Sequence, residues 1–163
     1  MHPTDSAVPD DIAAWRASHA RDGAANLREM RSRAAQAAAS CGAYVRVMEP
    51  SASSSGVLAG VPFAVKDNIV VAGAPTTAGS LALDDLLLSP TASVVRTLAA
   101  AGATVVGKAN MHELALGVTS DNAGYGAVSD PRHPGRSAGG SSGGSAAAIA
   151  AGSAAFSLET DTV

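Results

Sequence analysis

The residues that could do chemistry in this sequence are a lysine inside an apolar run and two serines at the start of a helix. Lys66 interrupts the apolar stretch GVPFAVKDNIVV, residues 60–71, and Ser141 and Ser142 lie in AGGSSGGSAAAIAAG, residues 138–152. A desolvated lysine disfavours its ammonium form, so it could take a proton from a serine hydroxyl. The alternative is a lysine at a strand end with its amine in water, and spacing alone leaves both interpretations open.

The Gly/Ser stretch is predicted to be packed and not to be a flexible linker. Residues 146–151 follow it directly as five alanines and one isoleucine, a helix that can hardly be solvated. Its glycines allow close approach of another backbone or a substrate, and the N–H groups at a helix start favour an anion or oxyanion. No histidine lies in a convincing position beside the serines, so Lys66 is the candidate base.

The elements that must position these residues alternate between helices and strands. A helix over 24–39 is predicted by four apolar residues at helical spacing, Leu27, Met30, Ala34 and Ala38. The other predicted helices are a short one with Ile12 and Trp15 capped by Asp10 or Asp11, 91–101 capped by Thr91, 110–117 capped by Asn110, and 145–155. The predicted strands are 43–49, 60–71, 104–108 and 155–158. This order predicts an α/β layer fold.

Composition limits the class of protein. The 163 residues fit one ordinary domain, and 47% hydrophobic residues suffice for a core. The net charge of −3, with scattered basic residues, predicts no nucleic-acid partner and no anionic membrane partner. A single cysteine, Cys41, excludes an internal disulfide and fits a reducing compartment. With no secretory signal and no apolar run of about 18 residues, we expect a cytoplasmic protein.

Two motifs in the sequence match known binding patterns incompletely. GATVVGKA, residues 102–109, follows the phosphate-loop pattern until Ala109 replaces the hydroxyl residue, and its middle is predicted to be a strand. HELAL, residues 112–116, begins like a zinc-protease helix but has Leu116 in place of the second histidine. We therefore predict no nucleotide, no metal and no other cofactor.

Several blocks in a fixed order resemble the amidase signature family: GVPFAVKDNI, TTAGS, ATVVGKANMHELALG, RSAGGSSGGSAAAIAAG and FSLETDT. The resemblance covers about residues 56–163. It implies part of an α/β/α sandwich with a mixed sheet, incomplete beyond the helix that follows the Gly/Ser loop. Residues 1–55 are then an N-terminal helical segment with a linker, and 56–163 the N-terminal part of the core.

The resemblance also implies roles for individual residues. Lys66 matches the lysine of the family's Ser, cis-Ser, Lys triad, Ser141 matches the cis-serine, and Ser142 matches a neighbour with a secondary role. Thr162 and Val163 match positions whose backbone forms the oxyanion loop. The implied reaction is hydrolysis of a small-molecule carboxylic amide, in which Lys66 and Ser141 relay a proton from a nucleophilic serine. The resemblance further implies a cis bond between Gly140 and Ser141 and a hydrogen bond from Lys66 to Ser141.

The sequence departs from the family pattern near its end. The nucleophilic serine would be the second residue beyond Val163, and Glu159 stands where the family usually has glycine. We therefore expect the chain to be the N-terminal part of a longer amidase, and to be inactive as it stands. The alternatives are the A subunit of a tRNA-dependent amidotransferase and a non-catalytic truncated product. The wording TSDNAGYGAV, residues 119–128, favours a stand-alone amide hydrolase over the amidotransferase. The sequence does not indicate an oligomeric state.

Overall fold

A computed structural model describes residues 11–51 and 55–161, and this part of the chain contains four α-helices and six strands. The helices are α1 (Ile12–Arg21), α2 (Gly23–Cys41), α3 (Ser93–Ala100) and α4 (Gly143–Ala150). The strands are β1 (Tyr44–Val47), β2 (Pro62–Lys66), β3 (Thr104–Ala109), β4 (Asp121–Asn122), β5 (Gly126–Ala127) and β6 (Phe156–Leu158). None of the helices in these described ranges has the length and apolar character needed to cross a bilayer.

Four of the strands form one mixed sheet in the order β1, β3, β2, β6. Strand β1 is antiparallel to β3, whereas β2 is parallel to both β3 and β6. Lys66, the last residue of β2, pairs with Ala109 on β3, and Val65 pairs with Leu158 on β6. The carboxyl ends of the three parallel strands therefore lie together, and the residues that follow them meet at one edge of the sheet.

Helices cover both faces of this sheet. Alternate residues of β2 point to opposite sides, and both sides are buried. Ala64 belongs to a buried cluster with residues of α1, α2 and α4, whereas Phe63 and Val65 pack in a second cluster with Val95 of α3. The Phe63 ring also stacks on Phe156 of β6, with ring centroids 5.2 Å apart. The predicted α/β/α sandwich with a mixed sheet is confirmed; the division of the chain at residue 55 stays a prediction.

The two N-terminal helices form as the sequence predicts. The side chain of Asp11 accepts the N–H of Ala14 at 2.7 Å, so it caps α1. Within the predicted apolar stripe, Met30 and Ala34 are fully buried, and Leu27 and Ala38 pack partly buried against the same cluster. The stripe therefore attaches α2 to the sheet.

The helix predicted over 110–117 is wrong. Only a short 3-10 turn, Glu113–Ala115, forms there, with Leu114 at φ 52°. Asn110 is fully buried and is no helix cap: its amide donates to the carbonyls of Gly42 and Gly126 at 3.2 and 3.1 Å. Long-range hydrogen bonds thus override the local capping preference, which is why sequence reasoning failed here.

Three other element boundaries also differ from prediction. Helix α3 begins at Ser93 without a side-chain cap, and the Thr91 hydroxyl accepts the N–H of Ala72 at 2.9 Å instead. Strand β2 ends at Lys66 and does not resume, because Asp67 begins a turn. Helix α4 spans Gly143–Ala150 and not 145–155, so it starts inside the Gly/Ser stretch.

Gly144, in the first turn of α4, allows the closest approach of this helix to the sheet. Its N–H donates to the Asn110 carbonyl at 3.0 Å, and an added Cβ would lie 2.2 Å from that oxygen and 2.5 Å from the Ala43 oxygen. Both are backbone atoms, so the helix itself would have to move. We expect Gly144→Ala to lower the free energy of unfolding by about 1–3 kcal/mol, measured by urea denaturation.

The matched control for this substitution is Gly23→Ala at the first residue of α2. There the nearest atom to an added Cβ is the partly buried His19 ring at 3.2 Å, a side chain that can shift. Alanine favours helix over glycine, so this change should be neutral or slightly stabilising. Equal effects of the two substitutions would refute the close-packing explanation for Gly144.

Candidate active site

Lys66 and Ser141 meet at the carboxyl end of β2. Lys66 is fully buried, and its Nζ donates to the Ser141 hydroxyl at 2.8 Å and to the Thr160 carbonyl at 2.8 Å. The predicted hydrogen bond is therefore present, and the alternative with the lysine amine in water is wrong. The catalytic roles of the two residues stay predictions.

The surroundings of Lys66 suit a proton acceptor. Burial lowers the pKa of Lys66 below the usual lysine range, because desolvation disfavours the charged amine. The carboxylates of Glu159 and Asp161 act in the opposite direction and raise that pKa, although burial is the larger effect. The amine therefore loses its proton more readily than a solvated lysine would.

The Gly/Ser stretch is a packed loop, as predicted. The Gly140–Ser141 peptide bond is cis. The Ser141 carbonyl accepts the N–H of His112 at 3.0 Å and the Ser120 hydroxyl at 3.4 Å, while the Ser120 hydroxyl accepts the N–H of Gly143 at 3.0 Å. Sequence reasoning missed Ser120 because it lies in the long loop 118–138, and nothing in the local pattern marks it.

The serines open into a surface cavity of about 430 Å³. Ser142 precedes the first residue of α4 and lies on the cavity wall beside Ser141. The wall is built from the Gly/Ser loop, the start of α4 and the residues after β6: Ala138, Gly140, Ser141, Ser142, Gly143, Ala146, Glu159, Thr160 and Asp161. A small molecule in this cavity would therefore contact the Ser141 region directly.

The segment after β6 is held by hydrogen bonds from two residues, Lys66 at the end of β2 and Asn68 just beyond it. The Thr160 carbonyl accepts from Lys66, and the Thr160 hydroxyl accepts from the Asn68 amide at 2.8 Å. Asn68 was not assigned a role from sequence, although its place in the polar interruption of an apolar run was the available signal. Thr162 and Val163, predicted for the oxyanion loop, lie outside the described residues.

A second buried lysine lies behind the site, and Lys66 and Lys108 are the only two lysines in the sequence. The Nζ of Lys108 lies 2.8 Å from a carboxylate oxygen of Asp67, and both side chains are fully buried. The other Asp67 oxygen accepts the N–H of Thr77 at 3.1 Å and a short hydrogen bond from the Thr77 hydroxyl. Burial lowers the pKa of Lys108, and the Asp67 carboxylate opposes this shift.

The Asp67–Lys108 pair connects three segments at the end of β2. Asp67 follows Lys66 in sequence, Lys108 lies on β3, and Lys108 also donates to the Pro75 carbonyl at 3.1 Å. The sequence showed these residues within the blocks VKDN and GKAN, but a pairing between distant segments could not be read from them. No group of three or more histidine, cysteine or acidic residues in the described ranges could hold a metal ion.

With this geometry established, comparison with known proteins decides the family. A family model described as Amidase matches residues 14–163. The chain belongs to the amidase family. The resemblance stated from the sequence blocks is thereby confirmed, and the match also covers most of α1 and all of α2.

Similar proteins include an indoleacetamide hydrolase of Pseudomonas syringae pv. syringae, 53% identical over 103 residues, which are 63% of this chain and 23% of that protein. The A subunit of the glutamyl-tRNA(Gln) amidotransferase of Koribacter versatilis is 43% identical over 105 residues, 64% of this chain and 22% of that protein. The solved structure of 6-aminohexanoate cyclic dimer hydrolase superimposes with a TM-score of 0.78 at 29% identity, covering 88% of this chain and 32% of that one. The matched region thus spans under a quarter of the curated relatives and about a third of the solved structure.

Proposed function

We propose that the protein carrying these residues hydrolyses a carboxylic amide to an acid and ammonia or an amine, with Lys66 as the base and Ser141 as the proton relay. The observation that supports this most strongly is the fully buried Lys66 amine donating to the Ser141 hydroxyl at 2.8 Å. A neutral amine in that place can accept the Ser141 proton while Ser141 accepts one from a second hydroxyl.

In the proposed reaction, a nucleophilic serine two residues beyond Val163 attacks the amide carbon and passes its proton through Ser141 to Lys66. The same path returns the proton to the leaving nitrogen as the C–N bond breaks, and water then hydrolyses the acyl ester. Backbone N–H groups of Thr162 and Val163 would stabilise the oxyanion. Ser142 would support the relay from its place beside Ser141 on the cavity wall.

The substrate is proposed to be a small amide, acted on in the cytoplasm. The relative most identical over the matched region, among those described above, is named for indoleacetamide, and the cavity beside Ser141 is of small-molecule size. The second candidate is the A subunit of an amidotransferase, favoured by the 43% identity to such a protein. That candidate implies a protein partner and glutamine as the nitrogen source.

The test measures ammonia release by the complete natural protein from indoleacetamide, a panel of aliphatic and aryl amides, and glutamine. Turnover of one or more simple amides without a partner protein is the expected result. If glutamine is the only substrate that releases ammonia, and partner proteins are needed for that release, the result would favour the amidotransferase. No release from any amide under either condition would contradict the proposed function and favour a non-catalytic product.

The charge of Glu159 should be visible in the pH profile of the reaction. Glu159 and Asp161 are the carboxylates that raise the pKa of Lys66, and hydrolysis needs Lys66 neutral. Activity therefore rises with pH through the Lys66 pKa. Glu159→Gln removes one opposing charge and lowers that pKa, so we expect the acid limb of kcat/KM against pH, for a neutral amide, to move to lower pH. A limb that stays in place or moves to higher pH would contradict this.

A further inference from the structure

The charged side chains on the wall of the cavity are all acidic among the described residues. Two of its lining residues, Glu159 and Asp161, carry carboxylates, and no basic residue is found among the described residues that line it. Lys66 is the cation that reaches this wall by hydrogen bonds, donating to Ser141 and Thr160 from below. Any molecule that enters the cavity therefore meets an acidic surface.

The reactive state makes this imbalance larger. Under the proposed function Lys66 must be neutral to accept a proton. The positive charge nearest the wall is then lost, while the acidic side chains of the wall stay in place. The field of charged groups on the wall of a partly enclosed cavity grows when an opposite charge beside them is lost.

Glu159 lies at the reacting end of the cavity. The parallel pairing of β2 with β6 runs through Val65 and Leu158, so the next residue on each strand is Lys66 and Glu159 respectively. Glu159 also precedes Thr160, whose carbonyl holds the Lys66 amine. The attraction between Glu159 and Lys66 that opposes the lowered Lys66 pKa agrees with this placement.

We propose that Glu159 determines specificity in this site, favouring amides that carry a positive charge and disfavouring amides that carry a carboxylate. This inference rests on the proposed function, because it concerns the substrate class of the same cavity. When Lys66 becomes neutral, a cationic group of the substrate near Glu159 replaces the positive charge that the site has lost. A carboxylate there meets the acidic side chain of Glu159.

The test uses the complete protein and a neutral amide that it hydrolyses in the panel described above. An ammonium-bearing analogue and a carboxylate-bearing analogue of that amide are compared with it. With a pentanamide skeleton these are pentanamide, 5-aminopentanamide and glutaric acid monoamide, which differ only in the charge of the far end. We expect kcat/KM for the ammonium-bearing amide to exceed that for the carboxylate-bearing amide by about tenfold or more at low salt. Because the cavity is open to solvent, the ratio should fall as salt screens the charges.

Substitution of Glu159 tests whether this selectivity comes from its carboxylate. Glu159→Gln should lower the cation-to-anion ratio several-fold while the neutral amide is still hydrolysed, so the proposed function and the charge selectivity are measured separately. Glu49→Gln is the matched control: Glu49 pairs with Arg31 on the exposed surface, and its loss should leave the ratio unchanged.

Two results would overturn the inference while leaving the proposed function intact. The first is hydrolysis of all three amides at similar rates, and the second is a charge preference that Glu159→Gln does not alter. Failure of every amide, the neutral one included, would instead remove the proposed function and this inference with it.

Discussion

Lys66→Met should lower kcat/KM for amide hydrolysis by about a thousandfold or more, because general base catalysis contributes about 10²–10⁴ and the nucleophile would be left without its proton acceptor. Methionine keeps most of the length of the side chain and is apolar, so it suits the fully buried position of Lys66. The substitution loses the two hydrogen bonds of the amine, at about 0.5–1.5 kcal/mol each, so we expect a modest fall in stability beside a large loss of activity. The measurement is ammonia release at saturating and limiting amide, beside a urea unfolding curve.

Ser141→Ala provides the partner variant for this prediction. Lys66 and Ser141 are joined by one hydrogen bond at 2.8 Å, so they should act as a unit. The double variant should then be about as impaired as either single variant, not the product of the two losses. A double variant whose loss of kcat/KM equals the product of the two single losses would show that the two residues do not relay one proton. A Lys66→Met protein with near-normal kcat/KM would show the same.

Lys108→Met should have the opposite profile, a large loss of stability. The substitution leaves the fully buried Asp67 carboxylate without its counter-charge, and breaking a buried pair in this way costs about 3–5 kcal/mol. The hydrogen bonds from Thr77 to Asp67 remain, but they do not neutralise the charge. We expect a lower free energy of unfolding in urea and a lower melting temperature.

The double variant Asp67→Asn/Lys108→Met tests the cause. It removes both charges and keeps an amide oxygen for the N–H of Thr77, so it should recover a large part of the stability lost in the single variant. A double variant as unstable as the sum of two single losses would show that packing, and not charge pairing, is what Lys108 provides. Lys66→Met, at the chain's other buried lysine, is the matched control.

Local sequence was sufficient for elements whose formation depends on their own residues. The stripe on α2 and the strand 104–108 formed close to their predicted bounds, because apolar periodicity reports which face must be buried. It was insufficient at Asn110 and Thr91, whose side chains satisfy distant backbone groups and not the helix that follows them. A capping preference of about 1 kcal/mol is easily exceeded by several buried hydrogen bonds.

The sequence by itself determined the chemistry available to this protein: a lysine within an apolar run, a serine in a glycine-rich loop before an apolar helix, and the family blocks around them. The contact between Lys66 and Ser141 could be expected from the family pattern. Only the tertiary structure decided that Lys108 neutralises Asp67, that Ser120 holds the Gly/Ser loop and that Glu159 makes the cavity wall acidic. The reason is physical: each of these depends on residues from separate segments that the parallel strands bring to one edge, and no local pattern encodes that distance.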